Sequence, residues 1–437
     1  MEGGGFYIFV GIIFLVLSAM KCYVYLRFLR HNRFIHRYIS LGFLIVLAIG
    51  EVLPWQYFLV GSCVVLDYTL FIACVCVDIA RFCFNLARKI VAKKRRVEVL
   101  ESSAQSLQST PLNTADSKIS KAQERLSYES SQFLSSLSTS PIIESPCPAP
   151  YPSMCSQPIS APRRAFLHII VDVMVGILFV CFSIIGFVSA LSVPPVKRVS
   201  VRLPKLKRAL RVAMITDVHI GKTLKGAFLA KVVERINALD ADFVVIVGDL
   251  VDDKIHKIKD DLEPLRELKS RQGVYYVAGN HEYYHGLDPI LAHLKTLNVR
   301  ILHNTHIELD ELNLAGVSDL AGLRFNYLPP DIESAKKDLN LLKPSVLLAH
   351  QPKFVRSNDV SEFDLVLCGH THAGQVFPLS FFVWLDQKYI HGLYNVPSKM
   401  PKNLPTQLYV SSGVGFWGPA VRFLAQNEIV LLELEGV

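Results

Sequence analysis

The sequence predicts an α/β domain over residues 196–437, preceded by an all-α transmembrane bundle in the first 195 residues. Three observations carry that expectation. Hydrophobic residues make up 51% of the 437 and mean hydropathy is +0.32, a bias usual for chains with membrane spans. In the first part the apolar residues form long blocks of the kind that cross a hydrocarbon core as helices. From residue 211 the rhythm changes to short apolar runs alternating with amphipathic stretches, the pattern of an α/β fold.

Taken in order, Phe6 to Tyr25 is nearly unbroken apolar and lacks a small-residue cleavage site, so it reads as an anchor and not a cleaved signal. Tyr38 to Leu53 and Tyr57 to Val77, split by "PWQY", read as a helical hairpin. Glu51 and Asp67 lie within or at the edge of its arms, where an isolated charge costs several kcal/mol on the order given for mid-bilayer groups, so both should face other helices. Ala165 to Ser192, with Asp172 near one end, is a fourth candidate span. The expected divisions are thus residues 1–96 with about three spans and basic loops, a Ser- and Pro-rich loop over 97–162 that buries too little to order, a further span in 163–195, and the α/β domain.

Of the formal charge of +8, residues 1–195 carry +6 and residues 196–437 carry +2. The excess belongs to the membrane part, so the expected partner is the lipid bilayer, and nucleic acid, whose readers concentrate positive charge on the folded domain, is not expected. Arg27, Arg30, Arg33, Arg37 and "ARKIVAKKRR" look cytoplasmic, which with four spans puts the α/β domain on the exoplasmic side. Lys197, Arg198, Arg202, Lys205, Lys207 and Arg208 after the last span, and the lack of any Asn-x-Ser/Thr, argue the opposite. The side of the catalytic-looking domain stays open, as does the oligomeric state. Eight of nine cysteines fall in the first 195 residues, with Cys147 and Cys155 in the Ser/Pro-rich loop, and Cys368 stands alone in the rest, so no internal disulfide supports the α/β domain.

Within that domain "VSVRL" alternates like an edge strand and "RVAMIT" reads as a strand. Leu224 to Leu239 reads as a helix with Phe228, Val232, Val233 and Ile236 on one side. "FVVIVG", "GVYYVAG", "SVLLAH" and "DLVLCGH" are strands apolar enough to be buried on both faces.

Polar residues appear where these runs end, at the carboxyl ends where ligand sites of α/β folds gather. They are Asp217 and His219, then Asp249, then Asn280 and His281, then His350, then His370 and His372. All are oxygen or imidazole donors, which suits Mn, Fe, Zn or related divalent ions and excludes a Cys-rich structural zinc site. A single strand-end Asp or His is ordinarily a cap or a satisfied core side chain, whereas a succession of them after five strands points to one site.

The blocks "TDVH", "GD", "GNHE", "LAHQP" and "GHTH" resemble the signature of the calcineurin-like metallophosphoesterases over roughly residues 196–437. The resemblance implies a four-layer α/β/β/α sandwich with two divalent cations at its strand ends. Carried over by motif position, Asp217, His219, Asp249 and His372 would hold one ion, and Asp249, Asn280, His350 and His370 the other. A carboxylate shared by both ions offsets their repulsion. His281 matches the family histidine beside the scissile phosphate, expected to donate a proton to the leaving oxygen while a metal-bridging hydroxide attacks. Glu282 is expected to be a structural partner, Thr371 to pack, and Gly279 and Gly369 to permit close backbone approach. Tyr283, Tyr284 and His285 line a substrate mouth or pack as aromatics. His256, His293, His306 and His391 match no motif position and read as surface or loop residues. The resemblance thus implies a phosphohydrolase of ester or pyrophosphate bonds on a phosphorylated small molecule or lipid, with a non-catalytic scaffold and a phosphoprotein phosphatase as rivals.

Overall fold

The computed structural model describes residues 16, 18–27, 42, 45, 57–108, 161–377, 379–397 and 405–437. Most of the expected span Phe6 to Tyr25, almost all of Tyr38 to Leu53 including Glu51, and the loop residues 109–160 with Cys147 and Cys155 lie outside the described residues.

After a helical segment described over residues 18–27, two long helices precede the strands, α1 (Tyr57–Gln108) and α2 (Ala161–Leu191). Each contains a stretch long and apolar enough to cross a membrane, within Cys63–Val99 and Ile169–Leu191. The expected loop is corrected here, because α1 continues past Val77 and past residue 97 to Gln108. Its later half has no glycine or proline and is rich in Ala, Leu, Lys, Arg and Glu, all good helix formers. Lys94 and Glu98 pair one turn apart at 4.0 Å. As expected of a charge in an apolar arm, Asp67 faces another helical segment, with Lys21 Nζ 3.1 Å from its carboxylate. Thr69 and Ser183 hydroxyls meet at 2.8 Å between α1 and α2.

The rest folds around two six-stranded mixed sheets. The first contains β1 (Val196–Leu203), β2 (Leu210–Ile215), β3 (Phe243–Val247), β4 (Val274–Val277), β5 (Val299–Ile301) and β12 (Ile429–Gly436), in the order β1-β12-β2-β3-β4-β5. The second contains β6 (Thr305–Glu308), β7 (Asn313–Gly316), β8 (Ser345–Leu348), β9 (Leu365–Cys368), β10 (Gly392–Val396) and β11 (Thr406–Val410), in the order β10-β11-β9-β8-β7-β6. β2, β3, β4 and β5 pair parallel, as do β7, β8, β9 and β11. β1 is an edge strand, as its alternation predicts.

Strand period decides the layering. Val212 and Met214 of β2, with Phe243, Val245 and Val247 of β3, join Val346, Leu348, Leu365 and Leu367 of the second sheet in one core between the sheets. The intervening Ala213, Ile215, Val244 and Ile246 turn outward onto α3 (Gly226–Asn237) and α4 (Ile255–Leu262), where Leu229, Val232, Val233, Ile236, Ile258 and Leu262 cover them. On the far side Leu347, Val366 and Cys368 meet short helical segments through Ile332, Ala335, Phe354 and Val355. Helix, sheet, sheet and helix therefore stack in that order. α5 (Asn280–His285) and α6 (Leu287–Thr296) follow β4, and α7 (Ser380–Gln387) follows β9.

Candidate metal centre

Parallel strands of both sheets end on the same side, and each hands over a polar segment there. β2 is followed by Asp217 and His219, β3 by Asp249, β4 by Asn280 and His281, β8 by His350, and β9 by His370 and His372. Five of these eight (Asp217, His219, Asp249, His370 and His372) have positive φ, between 48° and 70°. Non-glycine residues rarely adopt that conformation, and it concentrates where function demands an awkward side-chain direction. Close backbone approach needs the expected glycines: a Cβ on Gly369 would collide with Thr216 Oγ1 and Asp217 Oδ2, and one on Gly279 with Asp249 Oδ1.

Three groups of potential ligand atoms result, the atoms within each lying within 4.8 Å of one another: His219 with Asp252 and His281 and, built from the expected ligands alone, the two groups Asp217 with His219 and His372, and Asp249 with His350 and His370. Asp249 stands between them, its Oδ2 3.1 Å from His350 Nε2 and 3.9 Å from His219 Nε2. Burial and the charge of His281 push His219 down to about 3, and burial and His350 push His370 to about 3, so both rings are neutral donors. Burial raises the Asp217 carboxyl to about 6. His350, although burial opposes its charge, is made far more basic than an ordinary imidazole by Asp249. Its Nδ1–H donates to Val247 O at 2.8 Å, which turns Nε2 toward Asp249.

The donor set passes a direct test of fit to divalent cations. Asn280 Oδ1 and His219 Nδ1 are buried with no hydrogen-bond partner. Leaving such atoms unsatisfied costs about 1–3 kcal/mol each. His219 and His372 also point Nε2 at Nε2 across 3.1 Å. A cation relieves lone pairs that converge in this way, and no thiolate competes, since buried Cys368 lies on the far face of β9.

His281 lies outside the two groups built from the expected ligands and falls in the third, with His219 and Asp252. Its Nδ1–H meets Asp252 Oδ1 at 2.7 Å, leaving Nε2 4.0 Å from Asp249 Oδ2. Burial opposes its charge, yet Asp249 and the Asp252 hydrogen bond hold it up at about 9. Sequence reading missed Asp252, whose only signal is its position three residues after Asp249 in "GDLVDD". It missed Arg422 as well. That guanidinium is 1% exposed and donates Nη2–H to His372 Nδ1 at 2.9 Å and to Ser412 O at 2.7 Å, orienting the His372 ring. No regular spacing in "AVRFLAQNE" signals it.

Glu282 is structural in its contacts: its carboxylate accepts from Gly279 N at 2.6 Å, Asp249 N at 3.1 Å, Leu250 N at 2.8 Å and Val251 N at 3.2 Å, locking two strand-end turns together. Thr371 Oγ1 donates to Ile390 O. Tyr283 is buried and donates to Leu328 O at 2.8 Å. Tyr284 and Trp417, each about half exposed, flank the His281 ring with centroids at 5.4 and 6.4 Å and form the mouth of the site. His285 Nε2 lies 3.4 Å from Asp252. His256 is exposed, and His293 and His306 are half-buried away from the site. His391 is engaged more than expected, 3.1 Å from both Glu428 Oε2 and Lys197 Nζ.

Residues 210–374 match the calcineurin-like phosphoesterase family. The chain is 45% identical over 271 residues to an uncharacterized metallophosphoesterase of Campylobacter jejuni, covering 62% of this chain and 71% of that one. It is 33% identical over 278 residues to the transmembrane protein with metallophosphoesterase domain of Danio rerio, covering 60% and 62%. It is 26% identical over 297 residues to the UDP-2,3-diacylglucosamine pyrophosphatase LpxG of Chlamydia trachomatis, covering 54% and 88%. With imidazoles and carboxylates gathered at the strand ends and identity of this extent across the sandwich, the chain belongs to the calcineurin-like phosphoesterases.

Proposed function

We propose that this chain is a membrane-anchored, two-metal phosphohydrolase that cleaves a phosphate ester or anhydride of an amphiphilic substrate. The observation that carries the reading is Asp249, whose single carboxylate faces both groups of donors, at 3.1 Å from His350 and 3.9 Å from His219. In this reading Asp217, His219, Asp249 and His372 hold one divalent ion, and Asp249, Asn280, His350 and His370 hold the other. Two such ions supply Lewis acidity at a phosphoryl oxygen and make water a usable nucleophile near neutral pH.

The remaining chemistry belongs to the chain. Asp252 holds the His281 proton on Nδ1 and favours the charged ring, so Nε2–H is available to a leaving oxygen entering between Tyr284 and Trp417. Arg422 keeps His372 in one orientation, and Glu282 keeps the Asp249 and Asn280 turns in register. The amphiphilic substrate is supported by the apolar stretches of α1 and α2 and, by analogy only, by the UDP-2,3-diacylglucosamine named for the Chlamydia relative. Several spans in residues 1–96 and 163–195 make the protein multi-pass in this reading, with residues 196–437 as its catalytic domain.

The test is turnover by the full chain in detergent of bis(p-nitrophenyl) phosphate, a phosphomonoester and a lipid pyrophosphate, with Mn, Zn or Fe supplied and then removed by chelator. Chelator-sensitive hydrolysis of at least one of them is expected. No turnover under any ion overturns the reading in favour of a scaffold.

A further inference from the structure

An eight-residue helix follows the "GHTH" motif with almost nothing buried under it. In α7 only Gln387 is buried, while Phe381, Phe382, Trp384 and Leu385 are 56%, 62%, 42% and 48% exposed. Phe377 and Leu379 just before it, and Leu424 on the neighbouring loop, are exposed as well. A contiguous apolar surface of this kind on a folded domain marks a place where something other than water is met.

What it meets is indicated by the membrane-type helices. Val65 of α1 packs with Val376, Val421 and Phe423, joined by Tyr68, Ile72 and Phe182. Tyr68 Oη donates to the Phe377 carbonyl, Phe182 and Phe423 rings sit 5.0 Å apart, and Arg422 N donates to Gly186 O at 3.1 Å. The depth of that contact decides its meaning. Phe182 lies nine residues before the end of α2 at Leu191, or roughly 13 Å along the helix at 1.5 Å per residue. Ile184, Ile185, Val188 and Leu191, all on the same stretch, stay exposed as lipid-facing side chains do. The loop bearing Phe423 therefore runs beside the apolar part of α2 and not beyond its end, and the segment bearing Phe377 shares that level.

The polar edge of the helix fits the same environment. Lys388 Nζ sits 4.4 Å above the Trp384 ring, and Lys353 reaches Asp386 at 3.4 Å. Trp with adjacent Lys is the usual composition at the boundary between hydrocarbon and headgroups.

We propose that α7, with Phe377, Leu379 and Leu424, is a ledge immersed in the bilayer surface, which sets the mouth of the candidate metal centre at the level of lipid headgroup phosphates. The coupling to the site is short. Gln375, three residues past His372, donates Nε2–H to Trp417 O at 2.7 Å and accepts from Trp417 N at 2.8 Å, and Trp417 flanks His281. A substrate phosphate at headgroup depth reaches His281 without its acyl chains leaving the membrane. This last step rests on the hydrolase reading, whereas the ledge itself does not.

The test uses the full chain in nanodiscs of phosphatidylcholine and phosphatidylglycerol, with or without bromine at the 6,7 position of the acyl chains. The emission lost on Trp384→Phe is the Trp384 signal, and at least about half of it should be quenched by the brominated lipid, as immersion at the interface requires. An unquenched Trp384 signal overturns the ledge. In the triple variant Phe381→Ser, Phe382→Ser, Leu385→Ser, turnover of a bilayer-embedded lipid phosphate should fall about 10-fold while that of bis(p-nitrophenyl) phosphate stays within about 2-fold. Equal turnover of the embedded lipid by variant and wild type overturns the delivery step. Quenching of Trp384 in a protein that hydrolyses neither substrate keeps the ledge and sinks the hydrolase reading, and hydrolysis of the soluble diester with no quenching does the reverse.

Discussion

The inside of a strand and its carboxyl end obey opposite rules here, and β2 shows both within ten residues. From Leu210 to Ile215 every residue is apolar except Arg211, with side chains alternating between two cores and backbone groups paired on both sides. From Thr216 to His219 the chain buries an aspartate and a histidine, each with positive φ. The interior stabilises the fold through burial worth about 25 cal/mol per Å² of apolar surface. The end works against it, since a strained backbone costs on the order of 1–3 kcal/mol per residue and buried lone pairs go without partners. The sandwich is what tolerates the site, whose converging donors suit a ligand of positive charge.

The sharpest way to break this contrast is Asp249→Ala. If one carboxylate serves both groups of donors, the isolated variant should lose both ions, read by metal analysis of the folded protein, and turnover should fall by at least about 1,000-fold, or ~4 kcal/mol of barrier. Retention of one tightly held ion would show that Asp249 belongs to one group alone. His281→Gln should behave differently, keeping metal content unchanged while turnover drops roughly 100-fold. Asp252→Asn should fall between wild type and that variant, at about 10-fold, because an amide oxygen still accepts from His281 Nδ1 but no longer favours the charged ring.

A change inside a strand should show the complementary behaviour. Leu348 of β8 is fully buried between the sheets, two residues before His350. Leu348→Ala should lower unfolding free energy by about 2–5 kcal/mol, read by denaturant titration, with metal content per folded molecule unchanged. A loss of metal as large as that of Asp249→Ala would mean that strand interior and strand end are not separable in this protein.

The same division explains what could be read from the sequence. Strand interiors announce themselves where two-sided burial demands unbroken Val, Ile, Leu and Tyr, so β2, β3, β4, β8 and β9 were legible together with the polar positions behind them, and β1 by its alternation, whereas β5, β6, β7, β10, β11 and β12, which no motif follows, were not named from the sequence. Asp252 was not, because the second of three aspartates in "GDLVDD" has no periodic signature, and only the fold turns it toward His281. Arg422 was hidden for a related reason. A lone arginine in a loop normally reads as solvated, and its complete burial depends on carbonyls of Ser412, Gly415 and Ala425 that converge only in three dimensions. The extension of α1 to Gln108 was missed through composition, since its Ser, Gln and Glu residues suit both a solvated helix and a disordered loop.

Glu428 offers the finest comparison, a buried carboxylate that the chain satisfies by itself. It immediately precedes β12, is 4% exposed, and accepts from Tyr409 Oη at 2.8 Å and Ser412 N at 3.2 Å, with His391 at 3.1 Å and Lys197 at 3.4 Å. Although burial opposes its ionisation, the His391 hydrogen bond and charge, Lys197 and Tyr409 hold its carboxyl down at about 2, against an ordinary 4.5. A carboxylate depressed by folding stabilises the native state above its unfolded value, and that contribution fades as pH falls from about 4.5 through about 2. Glu428→Gln should therefore lower the thermal midpoint by about 4 °C or more at neutral pH, and the gap from wild type should close as the pH approaches 2. A gap that stays constant from neutral pH down to that point would mean that the charge on Glu428 contributes nothing. Chelator should leave the gap unchanged in this variant, because Glu428, unlike Asp249, finds its counter-charges within the chain.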